Sequence, residues 1–434
     1  MRVLIIGGGG REHALAWKIA QSPMLTKLYI APGNPGTGQL GENVPIAATD
    51  ITGLAVFAQA QKIDLVVPGP EIPLALGIAD ALAAAGIACF GPTQAAAQLE
   101  ASKQFTKHIC DGAKIPTAAW AGFTDATAAR AYLATHPAPI VIKADGLAAG
   151  KGVVVAQTNA EADAAITAML EDNIHGSSGA SIVIEECLTG TEISLFAICD
   201  GDTAVFCGTA MDHKRVGESD TGPNTGGMGA IAPPPAATPT IIDTAMATII
   251  RPALAAMTAR GTPFRGVLFA GLMLTATGPK LIEFNARFGD PECETLMPLL
   301  ATDLLPLLAE AATGRLNPAT SLIWHSDSAA TVILAARGYP GAYEKSAPID
   351  LKGVKASPDT QIFHAGTTYD GKTLRSHGGR VLAITATGPT LRHAIHRAYR
   401  AVEAIAFPGG FYRHDIGARA LLTSEGEGID RSVQ

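Results

Sequence analysis

The sequence has no long hydrophobic run and no excess of positive charge. Its apolar stretches, such as residues 3–6 and 140–142, are far shorter than the roughly 20 apolar residues of a membrane-spanning helix. Residues 3–6 already read as a strand, and no basic lead or cleavage-site pattern precedes them, so we expect no secretory signal. The net charge of −7 argues against broad nucleic-acid binding, which needs an extended basic surface. We therefore expect neither a membrane nor a nucleic acid as partner.

Cysteine pairs at C-x-x-C spacing are also missing. The six cysteines are scattered along the chain, at Cys89, Cys110, Cys187, Cys199, Cys207 and Cys293. This pattern is typical of small core residues in a reducing compartment rather than of a disulfide framework. We therefore expect a cytoplasmic protein with free thiols.

The first hundred residues alternate short apolar runs with helical stretches. The apolar runs predict strands at 3–6, 27–30, 64–67 and 87–90, with helices at 14–21, 54–61 and 74–85 between them. This order predicts parallel strands joined by right-handed crossovers. Each strand ends in a Gly- or Pro-rich turn, and in a parallel sheet such turns gather at the carboxyl edge, where ligands bind.

The rest of the chain predicts further domains, because 434 residues exceed what one hydrophobic core usually serves. We expect a compact unit over about 118–187, with strands at 139–143, 152–156 and 181–185. A strand-rich region over 190–325 follows, interrupted by a flexible stretch at 217–235. The last region, 326–427, has strand candidates at 330–334 and 379–384 and a helix at 391–404.

Two glycine-rich stretches resemble nucleotide motifs without matching them. Glycines at 7–10 follow a strand, but the dinucleotide fingerprint needs a third glycine where Glu12 stands and an acidic residue where Ala31-Pro32 stands. A nicotinamide dehydrogenase is thus excluded, while two alternatives stay open: a helix start that holds a phosphate, or a tight turn that only needs glycine. The stretch 146–152, with Gly150, Lys151 and Gly152, joins two strands and predicts a glycine-rich flap over phosphates rather than a Walker A loop.

The segment 280–292 carries the clearest chemical pattern. Side chains alternate along a strand, so Glu283, Asn285 and Arg287 are predicted to share one face, opposite the apolar residues between them. Magnesium prefers oxygen ligands and often takes one or two protein groups plus substrate phosphates, while Arg287 could neutralise a transferring phosphoryl group. The alternative is an amphipathic strand with a solvated face.

Other charged residues fit a nucleotide site between two domains. Lys143 ends the apolar run 139–142, and Lys103 lies near a helix start upstream, so that together they could bridge nucleotide phosphates. The strand 181–185 ends at a predicted domain crossing, where backbone near Glu185 and Leu188 could pair with adenine and Glu192 with ribose. Each of these residues, taken alone, could equally be a solvated surface group.

This ordered set resembles the ATP-grasp superfamily, and within it the glycinamide ribonucleotide synthetase family. The resemblance extends over essentially the whole chain, through blocks at 9–14, 31–34, 69–71, 143–153, 212–216, 220–229, 287–292, 363–367 and 376–381. It implies an α/β and α+β multidomain fold. The implied units are an N-terminal parallel-sheet domain at 1–101, a two-part ATP-grasp region at 102–325 with a small mobile lid at 118–189, and a small C-terminal α+β domain at 326–427.

The resemblance also implies an activity: ligation of glycine to 5-phosphoribosylamine, with ATP as co-substrate and Mg²⁺, or alternatively Mn²⁺, as cofactor. By position, Lys103, Lys143, Gly150–Gly152, Glu185, Leu188 and Glu192 would bind ATP, and Glu283 and Asn285 the metal. Arg287, Lys214, Asp212 and Asp290 would act on glycine and the transferred phosphoryl group. The residues that would bind phosphoribosylamine are Gly8, Gly9, Gly10, Arg11, Gly33, Asn34 and Glu71.

One position departs from the family pattern, because Glu294 stands where we would expect glutamine or methionine. Two rival interpretations remain: an ATP-grasp ligase for another carboxylate or amine, and a nucleotide-binding regulatory module without catalysis. We expect a monomer.

Overall fold

A computed structural model describes residues 1–147, 152–172, 174, 176–355 and 357–426. The N-terminal unit is a five-stranded sheet with the order β3-β2-β1-β4-β5, in which every pairing is parallel. The strands are β1 (Arg2–Gly7), β2 (Lys27–Pro32), β3 (Glu42–Asn43), β4 (Leu65–Pro68) and β5 (Ala88–Cys89). The helices are α1 (Gly10–Ile19), α2 (Ile51–Ala60), α3 (Glu71–Ala75) and α4 (Ile78–Ala84).

Two details of this unit differ from the prediction. The helix expected at 74–85 is split, because Gly77 takes a left-handed conformation with φ 85° and starts a new helix. Strand β3 was not predicted, since its two residues are polar and exposed and carry no apolar alternation.

A linker and a small antiparallel unit come next. The linker contains α5 (Gln98–Ala101) and α6 (Lys103–Ala113). The small unit, here called the lid, has the strand order β6-β9-β7-β8 and two helices. Its elements are β6 (Trp120–Phe123), α7 (Ala126–Thr135), β7 (Ile140–Ala144), β8 (Val153–Ala156), α8 (Asn159–Ile166) and β9 (Ile182–Glu186).

The remaining chain builds one large antiparallel sheet flanked by helices and small hairpins. Its main strands, in the order β16-β15-β10-β11-β14-β17-β22-β19, run from the second half of the ATP-grasp region into the C-terminal domain. The elements are β10 (Thr191–Asp200), β11 (Ala204–Asp212), β12 (Arg215–Gly217), β13 (Thr221–Asn224), β14 (Gly229–Ala232), α9 (Pro239–Ala245), α10 (Arg251–Ala259), β15 (Arg265–Thr275), β16 (Gly278–Asn285), α11 (Glu292–Leu296), α12 (Leu304–Ala312), β17 (Ser328–Ala336), β18 (Pro348–Ile349), β19 (Thr360–His364), β20 (Thr367–Asp370), β21 (Thr373–Ser376), β22 (Arg380–Gly388), α13 (Leu391–Glu403), β23 (Gly410–Phe411) and α14 (Ala418–Gly426).

The prediction of a flexible stretch at 217–235 is wrong. This region contains the hairpin strand β13 and the fully buried strand β14, which pairs with β11 on one side and β17 on the other. Strand β14 thereby joins the two halves of the large sheet into one. Its four residues are too short a run, amid Gly and Pro, to be distinguished from a loop by periodicity.

The N-terminal sheet shares its hydrophobic cores with the large sheet. Val3 and Ile5 on one face of β1 pack in a cluster with the leucines of α12. Leu4 and Ile6, on the opposite face, pack in a cluster with residues of β16. Because strand side chains alternate, β1 is buried on both faces, as is typical of parallel strands.

One helical segment, Pro239–Ala259, is long and apolar enough by length and composition to cross a membrane. In the structure its apolar face, including Ile249, Leu254 and Met257, packs in the same cluster as Ile193 and Leu268 of the large sheet. We therefore describe it as a core helix. No other helix among the residues described passes that test.

Asn34 fastens the N-terminal sheet to the C-terminal domain. Its Nδ2 donates to the carbonyl oxygens of Gly8 at 3.0 Å and of His364 at 2.8 Å. Its Oδ1 accepts the N–H groups of Gly36 and Thr37 at 2.8 and 3.0 Å. Nearby, the His364 N–H donates to His13 Nδ1 at 2.7 Å, and burial together with His364 lowers the pKa of His13 to about 3. A neutral imidazole is the form that can accept this bond.

Replacing Asn34 with alanine should therefore destabilise the docking of the two units. The substitution leaves buried N–H and C=O groups without partners, which typically costs about 1–3 kcal/mol. We expect a lower midpoint of thermal unfolding, measured by calorimetry without substrates. Asn317→Ala is the control, since Asn317 is exposed and bonds only locally to Ala319. An equal midpoint for the two variants would contradict the assignment.

Candidate active site

The predicted site residues meet where the lid, the large sheet and the carboxyl edge of the N-terminal sheet come together. Lys143 on lid strand β7 links the first two, because its Nζ donates to the carbonyl oxygen of Ile282 on β16 at 3.1 Å. Arg287, just beyond β16, links the large sheet to Glu71 of the N-terminal unit at 3.4 Å. A cleft bounded by three units is thus lined by the charged groups described below.

Two buried lysines share one carboxylate at the lid side of this cleft. Glu185 Oε2 lies 2.9 Å from Lys143 Nζ, and Glu185 Oε1 lies 3.3 Å from Lys107 Nζ. Burial lowers the pKa of Lys107, although Glu185 opposes this effect. With two ammonium groups for one carboxylate, the cluster has a surplus of positive charge that suits phosphates. The Glu185 side chain is occupied by these lysines, so any adenine contact there would use the backbone, which leads on to half-buried Leu188.

Asp145 fixes the base of the glycine-rich flap to the start of α6, a contact that the sequence did not reveal. Its Oδ1 accepts from Ser102 Oγ at 3.0 Å and from the Gln104 N–H at 3.2 Å. Its Oδ2 accepts from Ser181 Oγ at 3.2 Å. Lys103 Nζ in turn donates to the carbonyl oxygen of Gly146 at 3.2 Å. One carboxylate therefore holds Lys103 and the flap in a fixed relation.

The described part of the flap comprises its two ends. Gly150 and Lys151 lie outside the residues that the structure describes. Gly152 is buried at the far end, and its carbonyl oxygen accepts the Ala144 N–H at 2.8 Å. Both ends of the turn are thus held by the paired strands β7 and β8.

The candidate metal ligands Glu283 and Asn285 lie on β16 with the spacing predicted for one face. Burial by itself raises the pKa of Glu283, but Lys143, Lys103 and Lys214 together hold it below its usual value. The strand ends at Asn285, so Arg287 does not continue the alternation as predicted. Its Nη2 still reaches Asn285 Oδ1 at 3.2 Å, which keeps the guanidinium beside the same pair.

Arg287 is held by carboxylates from two other elements. Its Nη2 lies 2.9 Å from Glu100 Oε1 on α5, and its Nε lies 3.4 Å from Glu71 Oε2. Glu100 also accepts the Ala286 N–H at 2.7 Å. Burial raises the pKa of Glu100, whereas Arg287 and Arg11 keep the pKa of Glu71 low despite its burial. Glu100 was not predicted, because its partner lies 187 positions away in the sequence.

Asp212, at the end of β11, faces a carboxyl neighbour and lacks a partner of its own. Its Oδ1 is shielded from solvent and receives no hydrogen bond from the described chain. Burial and the nearby Glu292 raise the pKa of Asp212 well above its usual value. Lys214, two residues on, pairs instead with Glu192. Burial lowers the pKa of Lys214, but Glu192, Glu283 and Asp212 outweigh that effect and raise it. The Asp212 carboxyl is therefore placed to receive a cation.

Many hydrogen-bonding groups of the glycine turn after β1 are bonded to other groups of the protein. Glu12 Oε2 accepts the Gly9 N–H at 2.6 Å at the start of α1, which is the half of a capping box that a glycine N-cap allows. Arg11 donates to Glu12 Oε1 at 2.7 Å and to the carbonyl oxygen of Phe288 at 3.1 Å. Gly33 N–H donates to the Gly7 carbonyl at 3.1 Å. At Gly9, the structure thus favours the tight turn over a phosphate site.

Asp290 is held by an arginine from the C-terminal domain that the sequence did not single out. Arg380 Nη2 lies 3.1 Å from Asp290 Oδ1, and its Nη1 donates to the Asp290 carbonyl at 2.7 Å. Arg380 also donates to the carbonyl oxygens of Gly226 and Gly227. Arg380 and Arg11 hold the pKa of Asp290 below its usual value, although burial alone would raise it.

Comparisons with known proteins agree with this arrangement. Three family models match in chain order: the N domain of phosphoribosylglycinamide synthetase over 1–100, its ATP-grasp (A) domain over 101–293, and its C domain over 329–419. The chain belongs to the phosphoribosylglycinamide synthetase family. It is an ATP-dependent carbon–nitrogen ligase, and the predicted multidomain fold with parallel-sheet, ATP-grasp and C-terminal units is confirmed.

Individual relatives of this family are similar over nearly their whole length. The phosphoribosylamine–glycine ligase of Mesorhizobium japonicum is 56% identical, covering 97% of this chain and 99% of the relative. The relative of the same name from Caulobacter vibrioides is 54% identical, covering 97% and 99%. The crystal structure of the Thermotoga maritima phosphoribosylamine–glycine ligase has a TM-score of 0.84 and 32% identity, covering 96% of this chain and 100% of that chain.

A more distant likeness concerns the fold alone. The biotin carboxylase domain of Hydrogenobacter thermophilus 2-oxoglutarate carboxylase has a TM-score of 0.72 at 16% identity, covering 94% of this chain and 91% of that chain.

Replacing Asp145 with alanine should weaken ATP binding in this synthetase. Loss of a charge-assisted hydrogen bond frees Lys103 and the flap base, so we expect the KM for ATP to rise about tenfold with a smaller change in kcat. Steady-state kinetics would measure both. Asp163→Ala is the control, because Asp163 is an exposed lid carboxylate paired with Arg130. A KM that responds equally in both variants would show that Asp145 has no special role.

Proposed function

We propose that this synthetase joins glycine to 5-phosphoribosylamine, with ATP, to give glycinamide ribonucleotide, ADP and phosphate in purine biosynthesis. The observation that carries the proposal is the division of charge in the cleft. Surplus ammonium groups lie on the lid side, at Lys143 and Lys107, and an unpartnered carboxyl lies opposite, at Asp212. One side suits nucleotide phosphates, and the other suits the ammonium group of an amino acid.

The nucleotide would lie between the lid and β16. Lys103 and Lys143 would contact its phosphates, with Gly150, Lys151 and Gly152 of the flap above them. The backbone of Glu185 and Leu188 would contact adenine, and Glu192 the ribose. The proximity of Lys143 to Ile282, at 3.1 Å, supports this placement, because it brings the phosphate side next to the metal strand.

The residues present fit a divalent cation, Mg²⁺ or alternatively Mn²⁺. Glu283 and Asn285 offer a carboxylate and an amide oxygen on one face, and the lowered pKa of Glu283 keeps that carboxylate ionised. Within the described ranges no group of three or more His, Cys, Asp or Glu side chains could hold a metal. Two protein ligands completed by phosphate oxygens are a common arrangement for magnesium. When bound, the ion would neutralise charge on the nucleotide phosphates.

The first chemical step would be phosphorylation of glycine. Asp212 and Asp290 would orient the glycine ammonium, so that a carboxylate oxygen attacks the γ-phosphorus and ADP departs. Arg287 and Lys214 would stabilise charge on the transferring group. The product is glycyl phosphate, whose carbonyl carbon carries a good leaving group. Because an acyl phosphate hydrolyses in water, closure of the lid over the cleft would protect it.

The second step would be capture by the amine of 5-phosphoribosylamine. That amine attacks the glycyl carbonyl carbon and displaces phosphate, and the lost proton leaves with solvent. We place this substrate at the carboxyl edge of the N-terminal sheet, near Gly8, Gly9, Gly10, Arg11, Gly33, Asn34 and Glu71. The contact between Arg287 and Glu71 supports the placement, since it joins this edge to the phosphoryl-transfer groups. Holding both reactants together can contribute about 7–11 kcal/mol to catalysis.

We further propose that the synthetase acts as a cytoplasmic monomer. All six cysteines are free, as expected in a reducing compartment. The catalytic groups named above come from one chain, as a monomeric enzyme would require.

The direct test of the overall function is ADP release from MgATP with purified protein. Phosphoribosylamine would be generated in situ from ribose 5-phosphate and ammonia, with alanine in place of glycine and ribose in place of ribose 5-phosphate as controls. The proposal expects ADP formation that needs both substrates, and a product with the mass of glycinamide ribonucleotide. Turnover with another amino acid or amine would change the substrate assignment, and ATP binding without turnover would support a regulatory module.

Replacing Asp212 with asparagine should weaken glycine binding specifically. The variant keeps the shape of the side chain but cannot carry the negative charge that an ammonium group needs. We expect the KM for glycine to rise about tenfold or more, while the KM for ATP changes little. Asp243→Asn, at an exposed position on α9, is the matched control. An unchanged glycine KM would remove Asp212 from the glycine site.

A further inference from the structure

Glu294 is a buried carboxyl group with no donor of its own. The residue is 0% exposed, and neither side-chain oxygen receives a hydrogen bond from the described chain. A Cβ atom added at Gly10 would lie 2.3 Å from Glu294 Oε1, so the carboxyl fills the space in front of the first residue of α1. A Cβ atom added at the preceding residue, Gly9, would lie 3.5 Å from Asp290 Oδ2, so the carboxyl groups of Glu294 and Asp290 face the same turn.

The cations near Glu294 are committed to other carboxylates. On α1, Arg11 pairs with Glu12 at 2.7 Å. On β22, Arg380 pairs with Asp290 at 3.1 Å. Beyond β16, the side chain of Arg287 lies between Glu100 and Glu71.

A carboxylate ionised at position 294 would therefore be a buried negative charge without a counter-ion, next to the negative charge of Asp290. An uncompensated buried charge of this kind is strongly destabilising. The neighbouring Cys293 on the same helix offers no positive charge. The geometry thus requires either a proton or an added cation at Glu294.

We propose that Glu294 is protonated in the folded synthetase and donates its proton as a hydrogen bond to Asp290, so that it acts as a positioning residue for that carboxylate. The pair then carries one negative charge, which Arg380 balances. The proposal rests on the proposed function only where Asp290 is taken to face a substrate. The family pattern leads us to expect glutamine or methionine at this position; of these two, glutamine would offer an N–H donor in the place where neutral glutamate offers its O–H.

The charges around the two carboxyl groups push their protonation in opposite directions. Burial and the charge of Asp290 raise the pKa of Glu294 well above its usual value, although Arg380 opposes this effect. Arg380, Arg11 and Arg287 instead hold the pKa of Asp290 low. A pair separated in this way shares a single proton, with the acid at 294 and the base at 290.

The rival explanation is a bound cation between two ionised carboxylates. It predicts that Glu294 is ionised and that removal of the metal changes the protonation state of Glu294 and Asp290. Infrared spectroscopy distinguishes these states, because a protonated carboxylic acid has a carbonyl stretch that a carboxylate lacks.

The experiment compares wild type with Glu294→Gln, both labelled with ¹³C-glutamate and free of substrates, at neutral pH. We expect a protonated-acid band in wild type that shifts with the label and is missing from E294Q. The difference between the two proteins removes any contribution from Glu100 and Asp212. Glu403→Gln, at an exposed position, should keep the band. Equal spectra for wild type and E294Q, with or without EDTA, would overturn the proposal.

The pH dependence of stability gives a second readout with a definite sign. The unfolded chain releases the Glu294 proton above about pH 4.3, whereas the folded chain keeps it. Folding stability therefore falls as pH rises, until pH passes the raised pKa of the folded state. Relative to E294Q, the unfolding equilibrium constant of wild type should rise up to about tenfold per pH unit over this window. A ratio that does not change with pH would contradict a protonated Glu294.

Kinetics tests the positioning role. Leucine at 294 has a similar size but cannot donate a hydrogen bond, so E294L should lose about tenfold or more in kcat/KM for glycine, and E294Q should recover most of that loss. Equal losses in both variants would show that a hydrogen-bond donor at position 294 does not restore activity, which would contradict the positioning role. If wild type itself makes no glycinamide ribonucleotide, the proposed function fails, but the infrared result still decides the protonation state.

Discussion

The partly buried ion pairs between separate parts of the chain are the constraint on which the site depends. Arg287 is bound by Glu71 of the N-terminal unit and Glu100 of the linker, and Arg380 of the C-terminal domain by Asp290. Removing one partner of such a pair leaves the other charge partly desolvated and without its counter-ion, which destabilises the docked arrangement. These pairs therefore favour the docking arrangement that brings the opposite charges together. Folding itself thus assembles the cleft.

The charges that are not neutralised by ion pairs determine which ligands the cleft can accept. On the lid side, Glu185 balances only one of the two lysines beside it, which leaves a positive site for phosphates. On the opposite side, Asp212 Oδ1 receives no hydrogen bond from the residues that the structure describes and the carboxyl lies near Glu292, which leaves a site for an ammonium group. A substrate with a negative and a positive end, such as an amino acid meeting ATP, would complete both sides.

Local patterns in the sequence predicted the parallel sheet, the lid strands and the shared face of Glu283 and Asn285, because each depends on periodicity over a few residues. The same patterns could not predict β14, whose four residues lie among glycine and proline. Nor could they predict Glu100 and Arg380, because these matter only through partners far away in the sequence. Asn34 stays at the proposed substrate edge, but its bonds to the backbone of two domains could not be predicted from local pattern. Whether a polar residue faces a ligand or a neighbouring element is decided by tertiary packing, which spacing does not encode.

In the proposed mechanism, the glycine carboxylate receives the γ-phosphoryl group before the amine attacks. The most direct test uses glycine labelled with ¹⁸O in both carboxylate oxygens, followed by mass analysis of the phosphate and the amide product. Transfer through glycyl phosphate predicts one ¹⁸O atom in each phosphate released and one in each glycinamide ribonucleotide. Phosphate without label, alongside product formation, would mean that the carboxylate oxygen never becomes bonded to phosphorus and would contradict the mechanism.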